Sequence, residues 1–163
     1  MRSFKTLSEM CPPIELITPG TTGASDRVSD WISLKNAPGG VAIIISMNQA
    51  AANTVAIAPW QSTNVGASPD DAKVLANVVP IYSNLDCAAG DAFTKRTQAI
   101  NYTTDAGVKH KIVIFEILPE HLDVINNFDC IKILITASSA SNIFSAIALP
   151  LGRRYANESM IAD

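Results

Sequence analysis

The chain has 163 residues, 48% hydrophobic and only 17% charged, with a formal net charge of −3. That length suits one domain with a sizeable core, and the acidic balance without a basic stripe excludes the usual nucleic-acid binder. No run approaches the roughly 18 apolar residues of a membrane helix. So little charge at a mean hydropathy of +0.21 points to a surface partly covered by another protein.

Residues 1–25 read as an extended arm. "CPPIELITPGTTGAS" sets three prolines and two glycines around one apolar run, Ile14 to Ile17. Proline fixes φ and removes a donor, which suits a segment laid on a surface. Two readings stand: Ile14, Leu16 and Ile17 are contacts to a partner or a neighbouring copy, or Ile14–Thr18 is the first strand of the domain.

Residues 26–155 carry period-two patterns. "VSDWISLK" reads as a half-buried strand, with Val28, Ile32 and Leu34 on one side and Trp31 on the other. "NAPGG" is a turn. "VAIIISM" is apolar on both faces and β-branched, hence a central strand. "NTVAIAPWQST" and "AKVLANVVPIYSNLD" give two further strands, where Pro59 and Pro80 suggest an edge or a bulge. "SPDDAKVLANVV" also admits a helix capped by Ser68. "TQAINYTT", "KIVIFEIL", "CIKILITA" and "IFSAIAL" complete roughly eight or nine strands with turn chemistry between them. The expectation is an all-β fold, an antiparallel β-sandwich of jelly-roll type. Residues 156–163 form a tail.

"PEHLDVINNFDCIKILI" (Pro119–Ile135) brings His121, Asp123, Asp129 and Cys130 together. A metal centre or a cysteine nucleophile needs such residues, but so does an ordinary turn. Zinc needs three or four Cys/His ligands at recognisable spacings. Here His121 and Cys130 stand nine apart, and the other histidine, His110, lies at a strand entrance. Cys130 falls in line with apolar strand positions, as a buried, inert cysteine does. Pro119 opens a short helical turn, Asn126-Asn127 tolerates left-handed backbone, and Asp123 and Asp129 are expected to bond turn amides. Cys11, Cys87 and Cys130 are odd in number and far apart, which predicts reduced, unligated thiols in a cytoplasmic setting.

No G-x-S-x-G, Walker or dinucleotide motif occurs. Carboxylates are scattered through loops. A glycosidase could hide among them, although 6% aromatic content gives few sugar platforms. The expectation is a non-enzyme without catalytic residues, metal or cofactor.

Four stretches in order resemble a known family. They are "SLKNAPGGVAIIISM", "YSNLDCAAGDAFTKRTQAINYTT", "KIVIFEILPEHLDVINNFDCIKI" and the closing strand ending "LGRRYA". From about Asp26 to Tyr155 the chain resembles small structural proteins of tailed bacteriophages, the capsid decoration, cement or minor head proteins. Asn127 stands where that pattern usually has glycine. The resemblance implies a protein made in the host cytoplasm and carried on the virion. It would bind the major capsid protein, with Ile14, Leu16 and Ile17 as candidate capsid or inter-subunit contacts. It would form a dimer or trimer and engage neither nucleic acid nor membrane. The alternatives are a head–tail connector or tail-tube component, or a carbohydrate-binding or hydrolytic sandwich.

Overall fold

The computed structural model describes residues 6, 10–21, 25–66, 69–152 and 160. Twelve strands make two antiparallel sheets. They are β1 (Ile14–Thr21), β2 (Arg27–Val28), β3 (Ile32–Ser33), β4 (Val41–Gln49), β5 (Ala56–Ser62) and β6 (Lys73–Val74), then β7 (Ile81–Asn84), β8 (Thr94–Lys95), β9 (Tyr102–Thr103), β10 (Lys109–Ile117), β11 (Cys130–Ile135) and β12 (Ile143–Pro150). The first sheet runs β1-β12-β4-β10-β7-β8. The second runs β2-β11-β5-β6, with β3 also on β11 and β9 also on β5. The chain changes sheet at each step from β1 to β5 (β2 and β3 share one position) and again from β9 to β12. This is jelly-roll connectivity, in which strands distant in sequence become neighbours.

Alternation builds the core. Val41, Ile43, Ile45 and Met47 of β4 point inward, as do Val113, Phe115 and Ile117 of β10 and Ile131, Ile133 and Ile135 of β11. The "VSDWISLK" segment is two short strands rather than one. Ile32 and Leu34 are buried, but Val28 is 49% exposed. The backbone breaks between them, and the Ser29 hydroxyl accepts from the Ile133 N–H at 2.9 Å. From Pro69 on, the "SPDDAKVLANVV" segment forms a turn at Asp70–Asp71 and then β6, not a helix, while Ser68, its expected cap, lies outside the described residues. Pro59 sits within β5, paired to Ile133 on one side. On the other side β9 pairs at Ala56–Ile57 and β6 at Trp60–Gln61, so the residue without an N–H falls in the gap between two partners.

The N-terminal segment corrects the arm. Ile14–Thr21 is the edge strand β1, held on β12 from Ile14↔Ala148 to Thr21↔Ile143 with two register shifts. Leu16 and Ile17 are 7% and 4% exposed in the chain's own core, and Ile14 packs against it. An apolar run beside an unfilled sheet edge gains more by joining the sandwich than by waiting for a partner. The sandwich therefore begins at Ile14, not at residue 26. Residues 1–5, 7–9 and 22–24 of the expected arm lie outside the described residues. So does the tail except for Met160, which is buried in the core and accepts the Ser33 N–H at 2.7 Å.

Arg27 closes the irregular part of β1. Its Nη2 donates to the Thr18 carbonyl at 2.6 Å and its Nη1 to the Thr21 carbonyl at 3.4 Å. Those acceptors are no longer open to strand addition by another chain.

Candidate interaction surface

The His/Asp/Cys segment separates into structural roles. Two single-turn 3-10 helices, Pro119–His121 and Val124–Asn126, carry the chain to β11. The Leu118 N–H donates to His121 Nδ1 at 3.0 Å, closing the first. Asn127 adopts φ 62°, the left-handed backbone expected of it. The Asp123 carboxylate takes a backbone hydrogen bond from Asn126 in the turn, as expected, but side chains are its stronger partners. Lys73 of β6 reaches it at 2.6 Å and the Asn126 side chain at 2.8 Å, while the Asp123 main-chain carbonyl accepts from Asn126 and Phe128. The Lys73 hydrogen bond, aided by Asn126, holds the Asp123 carboxyl below its ordinary range. Lys73 also stands 4.0 Å over the Phe128 ring. The Asp129 carboxylate pairs with Lys35 at 3.6 Å.

Cys130 is fully buried, and its thiol donates to Asp129 Oδ1 at 3.1 Å. Burial, with Asp129 beside it, pushes its pKa up to about 12. At pH 8 only about one molecule in 10⁴ carries the thiolate that nucleophilic or metal chemistry needs. Cys11 and Cys87 are half-buried, and all three cysteines are free. A thiol reagent at pH 8 should therefore titrate Cys11 and Cys87 in the native protein and Cys130 only after denaturation. Fast labelling of Cys130, read by peptide mass spectrometry, would contradict its placement. Among the described residues, no three His, Cys, Asp or Glu side chains are grouped to hold a metal ion.

A polar cavity of about 390 Å³ opens beside β7 and β10, lined by Asn84, Asp86, Arg96, Asp105 and Lys109 among others. Lys109 pairs with Asp86 at 2.5 Å and Lys111 with Asp105 at 2.7 Å. Those lysine hydrogen bonds depress both carboxyls. Two ionised carboxylates supply no carboxylic acid to protonate a leaving group, which a glycosidase needs. Arg96 Nε donates to Ser83 Oγ at 2.6 Å.

The surface departs from the ordinary sandwich on its outer faces, where antiparallel sheets usually turn polar side chains to water. On the first sheet one cross-strand row reads Glu15, Ile147, Ile44, Ile114, Tyr82, Lys95 in register. Ile147 is 39% exposed; Ile44, Ile114 and Tyr82 are half-buried. On the second sheet Val28 meets Leu134, and Trp60 meets Val74. The Lys132 ammonium stands 4.5 Å from the Trp31 ring centre and 5.6 Å from that of Trp60. Burial lowers the pKa of Lys132. Trp31 is only 3% exposed, and Lys132 occupies one face of each ring, so this pair is a poor sugar platform. A third apolar region is a groove of about 320 Å³ at one end, lined by Leu34, Pro38, Leu122, Val124 and Phe128 among others. Ile125 beside it is 90% exposed.

Ile14, Leu16 and Ile17 belong to none of these surfaces, while Ile147, Ile44, Ile114 and Tyr82 were missed. The signal lay in "VAIIISM", apolar on both faces. In a two-layer antiparallel sandwich nothing covers the outer half of such a strand. Among the described residues no helix is long and apolar enough to cross a membrane. Comparison with family models, curated proteins and solved structures finds no match.

Proposed function

We propose that this protein is a non-enzymatic assembly subunit, a capsid decoration protein of a tailed bacteriophage that binds and stabilises a shell of major capsid protein. The observation that carries the reading is the pair of apolar outer faces. Ile147, Ile44, Ile114 and Tyr82 on one sheet, and Val28 and Val74 on the other, are partly or largely exposed in a chain with few charges to offset them. Contiguous exposed apolar surface marks interaction sites. Three further points support it. The fold is a jelly roll, an architecture shared by viral capsid and lectin domains. The ordered stretches that resemble phage head proteins run through most of the sandwich. The ion pairs of Asp86, Asp105 and Asp123 tie loops together rather than poise a proton. Stabilisation would follow mass action, with occupancy of many equivalent shell sites favouring the closed lattice.

The test is cosedimentation with purified shells that lack the protein. Saturable binding at a fixed number of copies per capsid subunit, together with a raised shell melting temperature, is expected. Absence of binding at tens of micromolar protein would refute the reading.

A further inference from the structure

We propose that the outer face of the six-stranded sheet β1-β12-β4-β10-β7-β8 is the interface of a two-fold dimer of this chain, with the axis in the interface plane and parallel to the strands. The inference does not rest on the capsid reading, because the face is self-complementary whatever the dimer then binds.

The row Glu15–Ile147–Ile44–Ile114–Tyr82–Lys95 crosses the sheet at right angles to the strands. Its four central side chains are apolar, and its ends carry opposite charges. Glu15 and Lys95 are both exposed, and neither has an ion-pair partner among the described residues. A two-fold axis along the strands reverses the row. Ile44 of one copy then faces Ile114 of the other, Ile147 faces Tyr82, and Glu15 faces Lys95 at both ends. An axis along the row would set Glu15 against Glu15 and Lys95 against Lys95, so charge selects the first arrangement. Isologous pairing of one patch with itself is the commonest form of homo-oligomer.

The flanking rows fit a rim. Ser145 pairs with Ser46 on one side of the apolar row, and Ala42 with Glu116 on the other. Six strands at about 4.8 Å give a face about 24 Å wide. With the flanking rows it covers roughly 500 Å² per copy, about 1,000 Å² in total. That is near the lower bound for a specific interface and suits a weak, concentration-dependent dimer.

Sedimentation equilibrium of the full chain from about 1 to 100 μM tests this. The wild type should pass from monomer to dimer. Ile44→Asp should weaken association at least a hundredfold, with an unchanged circular dichroism melt. Ile147→Asp, at a more exposed position, serves as the second variant should the first fail to fold. Glu15→Lys or Lys95→Glu alone should each weaken the dimer about tenfold. The double exchange Glu15→Lys/Lys95→Glu should recover most of that loss, since the charges then meet in reverse. A wild type that stays monomeric overturns the proposal. So does any oligomer insensitive to the aspartate variants, or a double exchange no better than either single one. Shell binding by the monomeric variants is read separately, so loss of the dimer and loss of the capsid reading are distinct results.

Discussion

Replacing Asp105 by alanine should destabilise the protein by about 2–3 kcal/mol, lowering the melting temperature by roughly 6–10 °C. The reason is Lys111, which is wholly buried although it carries an ammonium group. Its Nζ donates to Gln49 Oε1 at 3.0 Å, to the Asp105 carbonyl at 2.8 Å and to Asp105 Oδ1 at 2.7 Å. Gln49 in turn donates to the Asp105 and Asn53 carbonyls, and Thr104 donates to Gln49. Removing the carboxylate leaves a buried cation without its counter-charge. The figure sits below the usual range for a broken buried pair because the Asp105 side chain is 55% exposed and water can partly replace it. The converse variant, Lys111→Met, should cost only about 1 kcal/mol: the carboxylate returns to water and the thioether fills the channel. Urea unfolding of both variants checks the asymmetry, and a larger loss from Lys111→Met would contradict it.

The same pair sets a pH dependence. The Lys111 hydrogen bond holds the Asp105 carboxyl below its ordinary value of 3.8, so the folded state binds that proton less readily than the unfolded chain. Its contribution is full above about pH 4 and is lost as the pH falls through the depressed folded value. The stability gap between wild type and Asp105→Asn should therefore be constant from pH 5 to 7 and narrow at about pH 3.

Gly40→Ala should be at least as damaging, about 3 kcal/mol or more. Gly40 has φ 76°, and a Cβ there would lie 2.2 Å from the Ile117 carbonyl oxygen and 2.9 Å from Leu118 Cα. Both are backbone atoms at the end of β10, so no side chain can swing aside. The left-handed conformation alone costs an alanine about 1–2 kcal/mol, and the clash adds displacement of β10 from β4. Gly40 cannot adopt another conformation cheaply, because it closes the "NAPGG" turn onto Ala37 and accepts the Leu151 N–H at 2.8 Å. Gly90→Ala is the control: nothing lies within 4 Å of its Cβ position, so its melting temperature should barely move. A Gly40→Ala protein that melts like the wild type would show that the turn relaxes.

Strands whose partners flank them on both sides were legible from the sequence, because β-branched alternation in "VAIIISM", "KIVIFEIL" and "CIKILITA" has few other uses. Asn127 was legible for a similar reason, since few residues accept its backbone. The fate of Ile14–Ile17 was not, because an apolar run between prolines suits an arm and an edge strand equally. Only the vacancy beside β12 decides between them. Lys111 was also hidden. In "GVKHKIV" it reads as a charged strand entrance, and its acceptors come from Gln49 and a loop that no local pattern joins to it. For Asp123 the turn was legible but the bond was not, since its lysine comes from β6, fifty positions earlier. The apolar outer face was written in the outer half of the same isoleucine run that announced the core. A period-two pattern separates two faces but does not say what lies beyond each.

The pairing of β1 with β12 also governs how the molecule comes into being. Ile14 meets Ala148, so the first of the described strands has no neighbour in its sheet until the last of them is available. β4 likewise waits for β10 and β12, and β5 for β11. Until β10 and β12 are available "VAIIISM" is unpaired, and uncovered strands are open to misassociation. Closing the first sheet therefore rests on pairing across most of the described chain, the non-local kind of contact that slows folding.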